Sequence, residues 1–362
     1  MADVFFIAEA GVNHNGSLQR ALDLVTAAAD AGADAVKFQT FKAAEVAAAS
    51  ARKAAYQARE TGAAEGQLAM LKALELTETD FAAIKAQCER CNIEFMSTPF
   101  DYPSLDLLAH RVKVRRMKSP SGEITNGPFL LAMARTGLPI ILSTGMANLD
   151  EIGDALAVLA FGYSVKREPT GLDEMRRLFA TAAGKQALAG QVSILHCTSA
   201  YPAPASDLNL KAMATIAERF GLPIGYSDHS DGLHVSLAAV ALGAVAIEKH
   251  FTLDRNLPGP DHKASLEPGD LKALVRQIRE VTAALGSAEK VPTASERDTM
   301  AVARRSLVAT ADIRAGQRLG DAAIGALRPG GGVSPMRDWD LKSRTAHRDY
   351  SAGDFIELPD KT

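Results

Sequence analysis

Cysteine is scarce in this sequence, long apolar runs are absent and no positive charge accumulates. Only Cys88, Cys91 and Cys197 are present. Cys88 and Cys91 form a C-x-x-C, but no second pair follows, so the ligand spacing of a zinc ribbon is missing. They close a helical run, Thr79–Arg90, and read as thiols at a helix end. No apolar run approaches the ~20 residues of a membrane span, and Asp3 stands where a signal peptide carries basic residues. A net charge of −3 without a polybasic run leaves no footprint for nucleic acid or an anionic membrane. Neither G-x-G-x-x-G nor G-x-x-x-x-G-K-[ST] occurs, which removes support for dinucleotide and P-loop nucleotide binding. These absences leave the expectation of a soluble, cytoplasmic protein.

What is present is an alternation. Hydrophobic residues make up 47% of the chain, ample for a buried core. Short runs rich in Val, Ile and Phe alternate with longer stretches of helical spacing. The strand-like runs are Phe5–Ala8, Ala35–Phe38, Ile93–Ser97, Val114–Lys118, Pro139–Ser143, Val192–His196, Leu222–Tyr226 and Ala244–Ile247. After the first, Leu18, Ala21, Leu22, Val25 and Ala29 share one helix face, and Gly32 is a stop. After the last, Leu271, Leu274, Val275, Ile278, Val281 and Leu285 form a stripe closed by Gly286. Eight such units predict a (β/α)8 TIM barrel over residues 1–286. Two connections exceed what a barrel needs: Phe41–Leu76, which holds Tyr56, Gln57, Gln67 and Met70, and Phe161–Gly190, read as a surface helical insertion. Residues 287–300, around Pro292–Arg297, read as a linker. Residues 301–362 read as a small β-rich module with runs at Ser306–Thr310, Asp312–Arg318 and Asp354–Leu358.

Chemistry-bearing residues recur at one end of these strands. Leu222–Tyr226 and Ala244–Ile247 run into His229 and His250, which lie about one strand–helix–strand step apart. On neighbouring parallel strands both imidazoles reach the same carboxyl edge, where beside Asp228 and Glu248 they have the donor chemistry for a divalent metal. The alternative at this point is that they satisfy backbone groups at strand ends. Glu9 follows the first strand; Lys37 and Gln39 share a face of the second. Thr98 ends the third, Lys118 with Ser121 and Glu123 the fourth, Ser143 the fifth, Ser199 and Tyr201 the sixth, and Ser227 the seventh. Two or three lysines among hydroxyls at a barrel mouth make a phosphate or carboxylate site. Each residue alone has a bland reading, a solvated lysine or a turn serine. Their recurrence at one edge does not.

These stretches resemble the sialic acid synthase family. The match runs through I-A-E-A-G-V-N-H-N-G-S at Ile7, A-D-A-V-K-F-Q-T at Ala33, S-T-P-F-D at Ser97, K-S-P-S-G-E-I-T-N at Lys118 and P-I-I-L-S-T-G-M at Pro139. It continues through L-H-C-T-S-A-Y-P-A-P at Leu195, G-Y-S-D-H at Gly225, E-K-H-F-T at Glu248 and P-G-P-D at Pro258. The tail, from R-R-S-L-V-A at Arg304 to R-P-G-G-G at Arg328, looks like that family's antifreeze-like (SAF) domain. The resemblance implies condensation of phosphoenolpyruvate with an N-acyl hexosamine aldehyde, with C–O cleavage and release of phosphate. It implies manganese or magnesium on His229 and His250. Phosphoenolpyruvate would meet Lys37, Thr98, Lys118, Ser121, Ser143, Ser199 and Ser227, although some members carry asparagine at the position of Ser199. The sugar would meet Glu9, Gln39, Tyr201 and Asp261, with Arg328 arriving from the other subunit of a domain-swapped homodimer. Glu123 would handle water or protons beside Lys118 and the two histidines. N-acetylmannosamine, giving N-acetylneuraminate, is the first reading of the acceptor. The alternative is 2,4-diacetamido-2,4,6-trideoxymannose, giving legionaminate. A barrel synthase using another aldehyde, and a non-catalytic sugar-binding protein, are the competing classes.

Overall fold

The apolar runs of the first 286 residues become eight parallel strands in one sheet, in the order β3-β2-β1-β8-β7-β6-β5-β4. They are β1 Phe5–Gly11, β2 Ala35–Thr40, β3 Glu94–Pro99, β4 Met117–Ser119, β5 Ile140–Ser143, β6 Val192–Cys197, β7 Ile224–Asp228 and β8 Ala246–His250. The two outermost strands of that order, β3 and β4, lie side by side, so the sheet closes into a (β/α)8 barrel. The structure is a computed structural model and describes residues 3–48 and 66–358. The main helix between each strand and the next is α1 Leu18–Asp30, α2 Glu78–Arg90, α3 Tyr102–Asp106, α4 Gly127–Arg135, α5 Leu149–Ser164, α6 Ala212–Phe220, α7 His234–Ala241 and, after the last strand, α8 Pro268–Leu285; two short helices, Ala43–Val46 and Gln67–Leu74, precede α2.

Local signals explain where these elements start and stop. Ser17 caps α1 by accepting from the Arg20 amide, and Gly32, at φ +82°, takes the chain out of the helix. Thr77 and Asp80 form a capping box on α2, and Asn148 and Glu151 form another on α5. The fourth strand begins later than Val114, because Val114 is tied back to the Leu108 carbonyl and Lys113 sits in the left-handed region. The Phe161–Gly190 stretch opens inside α5, with Phe161 buried, and continues as helices Leu172–Phe179 and Ala182–Leu188. Cys88 is buried in the core between sheet and helices.

Strand alternation sorts the barrel interior into layers. Ile7, Ala35, Met96, Ile141, Leu195 and Ala246 pack together as an apolar layer inside the barrel. Two residues further along each strand, on the same face, stand Glu9, Lys37, Thr98, Ser143, Cys197 and Glu248. The apolar layer is the floor and this polar layer rests on it.

Residues from Ser287 onward form a second compact unit. Strands β9 Ser306–Ala309 and β10 Ile324–Leu327 pair antiparallel over a core that includes Leu307, Ile313, Leu341, Tyr350 and Ile356. The expected run Asp312–Arg318 forms only isolated bridges, Ile313 with Tyr350 and Arg318 with Thr345, and Phe355 bridges Val308. The partner strand of β9 is instead Ile324–Leu327, where Gly325 has no room for a Cβ beside Thr310. Pro292–Arg297 is not featureless: Thr293 and Glu296 form a capping box that leads into helix Arg297–Ala303. Among the described residues no helix is long and apolar enough to cross a membrane.

Candidate active site

Register places the polar layer. Glu9 on β1 stands opposite Lys37 on β2 and His250 on β8, and Ser227 on β7 stands opposite Glu248 on β8. A register shift at Glu9–Gly11 lets β1 leave the ladder, with Gly11 at φ +53°. A Cβ on Gly11 would lie 3.3 Å from the Glu9 carboxylate and 3.5 Å from His250.

Glu248 is the hub of the site. Ser227 Oγ donates to its Oε1 at 3.0 Å, Lys118 Nζ lies 3.4 Å from Oε1, and Lys37 Nζ lies 3.6 Å from Oε2. Lys37 also contacts Glu9 at 2.6 Å and donates to Thr98 at 3.2 Å; Lys118 donates to Ser143 at 2.6 Å. All four charged groups are buried. Burial pushes each toward its neutral form, and the neighbours decide the outcome. For Glu248, burial is outweighed by Lys118 and Lys37, and its pKa falls to about 2. For Lys37, burial is outweighed by Glu248 and Glu9, and its pKa rises. Lys118 is lowered, with burial leading. Glu9 is raised to about 7 by burial, against the pull of Lys37.

The histidines sit above this layer. His229 Nδ1 donates to the Thr198 carbonyl at 2.8 Å, since a carbonyl only accepts. Its Nε2 is thereby left as a lone pair, 3.2 Å from Tyr201 Oη and 3.4 Å from Ser227 Oγ. The His229 and His250 rings are 5.6 Å apart, and Tyr201 lies 4.2 Å from the His229 ring. Among the described residues His250 Nδ1, which is buried, has no hydrogen-bond partner. Burial lowers the His229 pKa to about 4; burial, then His229, hold His250 well below its usual value. Both imidazoles are therefore neutral at pH 7, the form that ligates metals. A carbonyl-anchored imidazole and an orphaned ring nitrogen suit a divalent cation. Among the described residues no three His, Cys, Asp or Glu side chains converge as a ready-made cage, so His229 and His250 are the two residues that would hold the ion.

A cavity of about 310 Å³ opens over these groups. Glu9, Lys37, Gln39, Thr98, Lys118 and Ser121 line it, as do Ser143, Ser199, Tyr201, Ser227, His229 and His250. Ser121 and Ser199 converge on Gly145, whose amide donates to Ser121 Oγ at 3.0 Å. Glu123 is not in the wall: its carboxylate accepts from Asn126 Nδ2 at 2.6 Å. Asp261 is buried in the connection after β8, outside the lining, and burial raises its carboxyl to about 6. Arg328 belongs to the second unit, exposed just after β10. Asp228, expected beside the histidines, is turned to the other face of the sheet and bonds Ser236 on α7, because strand alternation carries it away from Ser227. Tyr56 and Gln57 lie outside the described residues.

Two features escaped the sequence. Glu248 reads there only as a neighbour of the histidine pair, and its contacts with both lysines depend on sheet closure. The second is an apolar wall of Phe41, Leu71 and Phe100, with Phe41 and Phe100 edge to face at 6.4 Å. Its signal was a Phe directly after the β2 and β3 ends.

A family model described as the NeuB family matches residues 24–290. The N,N'-diacetyllegionaminic acid synthase of Campylobacter jejuni is 45% identical over 98% of this chain and 99% of its own length. The protein of the same name from Legionella pneumophila is 44% identical over 96% of this chain and 92% of its own. Among solved structures, the N-acetylneuraminic acid (sialic acid) synthetase of Leptospira borgpetersenii, in complex with citrate, has a TM-score of 0.66. It is 35% identical over 83% of this chain and 90% of that one.

Proposed function

Because this chain belongs to the NeuB family, we propose that it condenses phosphoenolpyruvate with 2,4-diacetamido-2,4,6-trideoxymannose to give N,N'-diacetyllegionaminate and phosphate. The observation that carries the reaction class is the two-lysine layer around Glu248, set beneath a neutral histidine pair at the same barrel mouth. The two relatives named for diacetyllegionaminic acid put this acceptor ahead of N-acetylmannosamine, reversing the order drawn from the sequence. The apolar wall of Phe41, Leu71 and Phe100 supports it, since a C6 methyl and a second acetyl group offer apolar surface that a hydroxyl does not.

In this reading Lys37 and Lys118, with Ser121, Ser143, Ser199 and Ser227, hold the phosphate and carboxylate of phosphoenolpyruvate. Thr98 orients Lys37. Carbon 3 of phosphoenolpyruvate attacks the open-chain aldehyde carbon, and water adds at carbon 2 of the resulting oxocarbenium. Phosphate then leaves with C–O cleavage. His229 and His250 would hold manganese or magnesium, which supplies Lewis acidity at the aldehyde oxygen. Glu9, with its carboxyl poised near neutrality, carries a proton to the new hydroxyl oxygen. Gln39, Tyr201 and Asp261 hold the sugar. Glu123 handles the water only after exchanging its Asn126 partner for substrate. The second unit is read as an antifreeze-like domain that brings Arg328 to the partner's site in a homodimer.

The test is phosphate release by the purified protein with phosphoenolpyruvate, Mn²⁺ and each hexosamine in parallel, with product mass measured. Preference for the diacetamido sugar and loss of turnover with EDTA are expected. Preference for N-acetylmannosamine would overturn the acceptor, and turnover of erythrose 4-phosphate alone would overturn the reaction. Full activity after metal removal would sink the metal reading.

A further inference from the structure

On the outer face of β7 and β8, behind the site, lies a closed polar network. Asp228 and Lys249 are direct neighbours in register, and their side chains meet at 2.8 Å between the sheet and α7. Both are buried. Asp228 Oδ1 accepts from the Ser230 amide at 2.9 Å and from Ser230 Oγ at 2.6 Å. Its Oδ2 accepts from Ser236 Oγ at 2.6 Å as well as from Lys249. Lys249 Nζ also donates to the Ser230 carbonyl at 2.8 Å. The network therefore ties together the end of β7, the turn after it, the end of β8 and α7.

The outer face is otherwise apolar: Tyr226 and Ile247, the residues next to this pair, are fully buried hydrophobes. A buried ion pair here is no better for stability than an apolar pair of similar volume, because desolvation offsets the attraction. What it supplies is direction, since each bond fixes one atom against another. His229 lies between two pinned residues, Asp228 and Ser230, and its Nδ1 is anchored to Thr198. His250 follows Lys249 directly.

We propose that Asp228, Lys249 and Ser236 are positioning residues that set the separation of His229 and His250. The inference rests on the proposed role of that histidine pair. It assigns the network no contact with substrate. Lys249→Met alone would leave an unpaired buried carboxylate and damage the fold, so the informative variant is the neutral pair Asp228→Asn with Lys249→Met. This pair keeps hydrogen-bonding capacity in the turn and removes the tie between strands.

The experiment has three readouts on the full-length chain. Mn²⁺ affinity is measured by electron paramagnetic resonance without substrates, the side-chain ¹⁵N–¹H resonances of the histidines by NMR on the metal-free protein, and kcat and KM by steady-state kinetics. Thermal unfolding accompanies them. The expected result for the neutral pair is about 10-fold weaker Mn²⁺ binding, the lower end of the effect of losing groups bonded directly to metal ligands, because this network acts on the histidines through the backbone. The His229 and His250 resonances should shift, and kcat should fall with little change in KM for phosphoenolpyruvate. Wild-type Mn²⁺ affinity and unchanged resonances in a folded neutral pair would overturn the proposal. If the neutral pair does not fold, Ser236→Ala decides: a several-fold loss of Mn²⁺ affinity supports the proposal and wild-type affinity overturns it. A wild-type protein that takes up no Mn²⁺ rejects the metal reading instead, and the histidine resonances of the variants still decide the positioning.

Discussion

The serines that line the cavity depend on a residue with no side chain. A Cβ built on Gly145 would lie 2.3 Å from Ser199 Oγ, 2.7 Å from Ser121 Oγ and 3.0 Å from Cys197 Sγ. The two serine distances are too short for any Cβ, so Gly145→Ala must push both serines aside, while Cys197 need give only slightly. We expect the variant to fold, with a loss of about 1–3 kcal/mol from overpacking. KM for phosphoenolpyruvate should rise about tenfold or more, as two charge-assisted contacts are misplaced, while KM for the sugar changes little. Steady-state kinetics with each substrate varied would check this, and an unchanged KM for phosphoenolpyruvate would remove Ser121 and Ser199 from the anion site. The conformation of Gly145 is not special; close approach alone requires glycine there. A sequence shows S-T-G as ordinary turn chemistry, and only the fold shows what meets it.

At the scale of elements, the connections after β1 and β8 interlock. Asn13 Nδ2 donates to the Phe251 carbonyl at 2.8 Å and to Ser265 Oγ at 3.0 Å, and His262 Nε2 pairs with Asn15 Oδ1 at 3.1 Å. Two buried titrating groups in these connections oppose each other. His14 accepts from the Gly16 amide through Nδ1, and its buried Nε2 has no partner among the described residues; burial, with Arg20, lowers its pKa from 6.5 to about 4. A depressed histidine costs stability when it must be charged: its contribution is intact above pH 6.5 and lost as pH falls through about 4. Burial raises Asp261 from 3.8 to about 6, so its contribution is intact below pH 3.8 and lost as pH rises through about 6. Each amounts to about 3 kcal/mol at full extent. Between pH 4 and 6 they offset, and the wild type should show a muted pH dependence from this region. Asp261→Asn should be more stable than wild type at pH 7, by up to ~3 kcal/mol, with the advantage gone at pH 4. Urea unfolding across that range checks the sign; an Asp261→Asn protein less stable than wild type at pH 7 would show that the ionised carboxylate has a partner.

Much of the element plan was legible, for a physical reason. Parallel strands buried on both faces read as continuous apolar runs, and the chemistry follows each run at its carboxyl end. That pattern alone puts Lys37, Lys118, Ser143, Ser227, His229 and His250 at one edge. Less legible was which face a residue takes once past the apolar run. Asp228 and Glu248 read alike beside the histidines, yet alternation sends one to the helix layer and the other to the centre of the barrel. Helix faces slipped in the same way. On α1 the buried residues are Ala21, Leu24, Val25 and Ala28, so the expected Leu22 and Ala29 flank the stripe that packs on the sheet. In the second unit, pairing is short and irregular, and Ile324–Leu327 of β10 carries no alternation that marks it as a strand.

The scale of the whole molecule brings in Arg328, whose proposed task lies in a partner subunit and so tests the assembly and the site together. Among the described residues, those of the cavity wall belong to the first 286, and Arg328 does not. If Arg328 completes the partner's site, two chains that are each inactive for different reasons should rescue one another. His250→Ala removes an imidazole from the barrel but leaves Arg328 intact; Arg328→Ala does the converse. In a mixed dimer, one of the two sites then combines an intact barrel with an intact arginine. Random exchange of subunits makes half the dimers mixed, so activity should recover to about a quarter of wild type. The measurement is phosphate release after the two variants are co-expressed or unfolded and refolded together, set against each variant treated alone. Activity no greater than the mean of the two separate variants would place Arg328 in its own subunit's site or outside the site altogether. Arg328→Ala with unchanged KM for the sugar would decide for the latter.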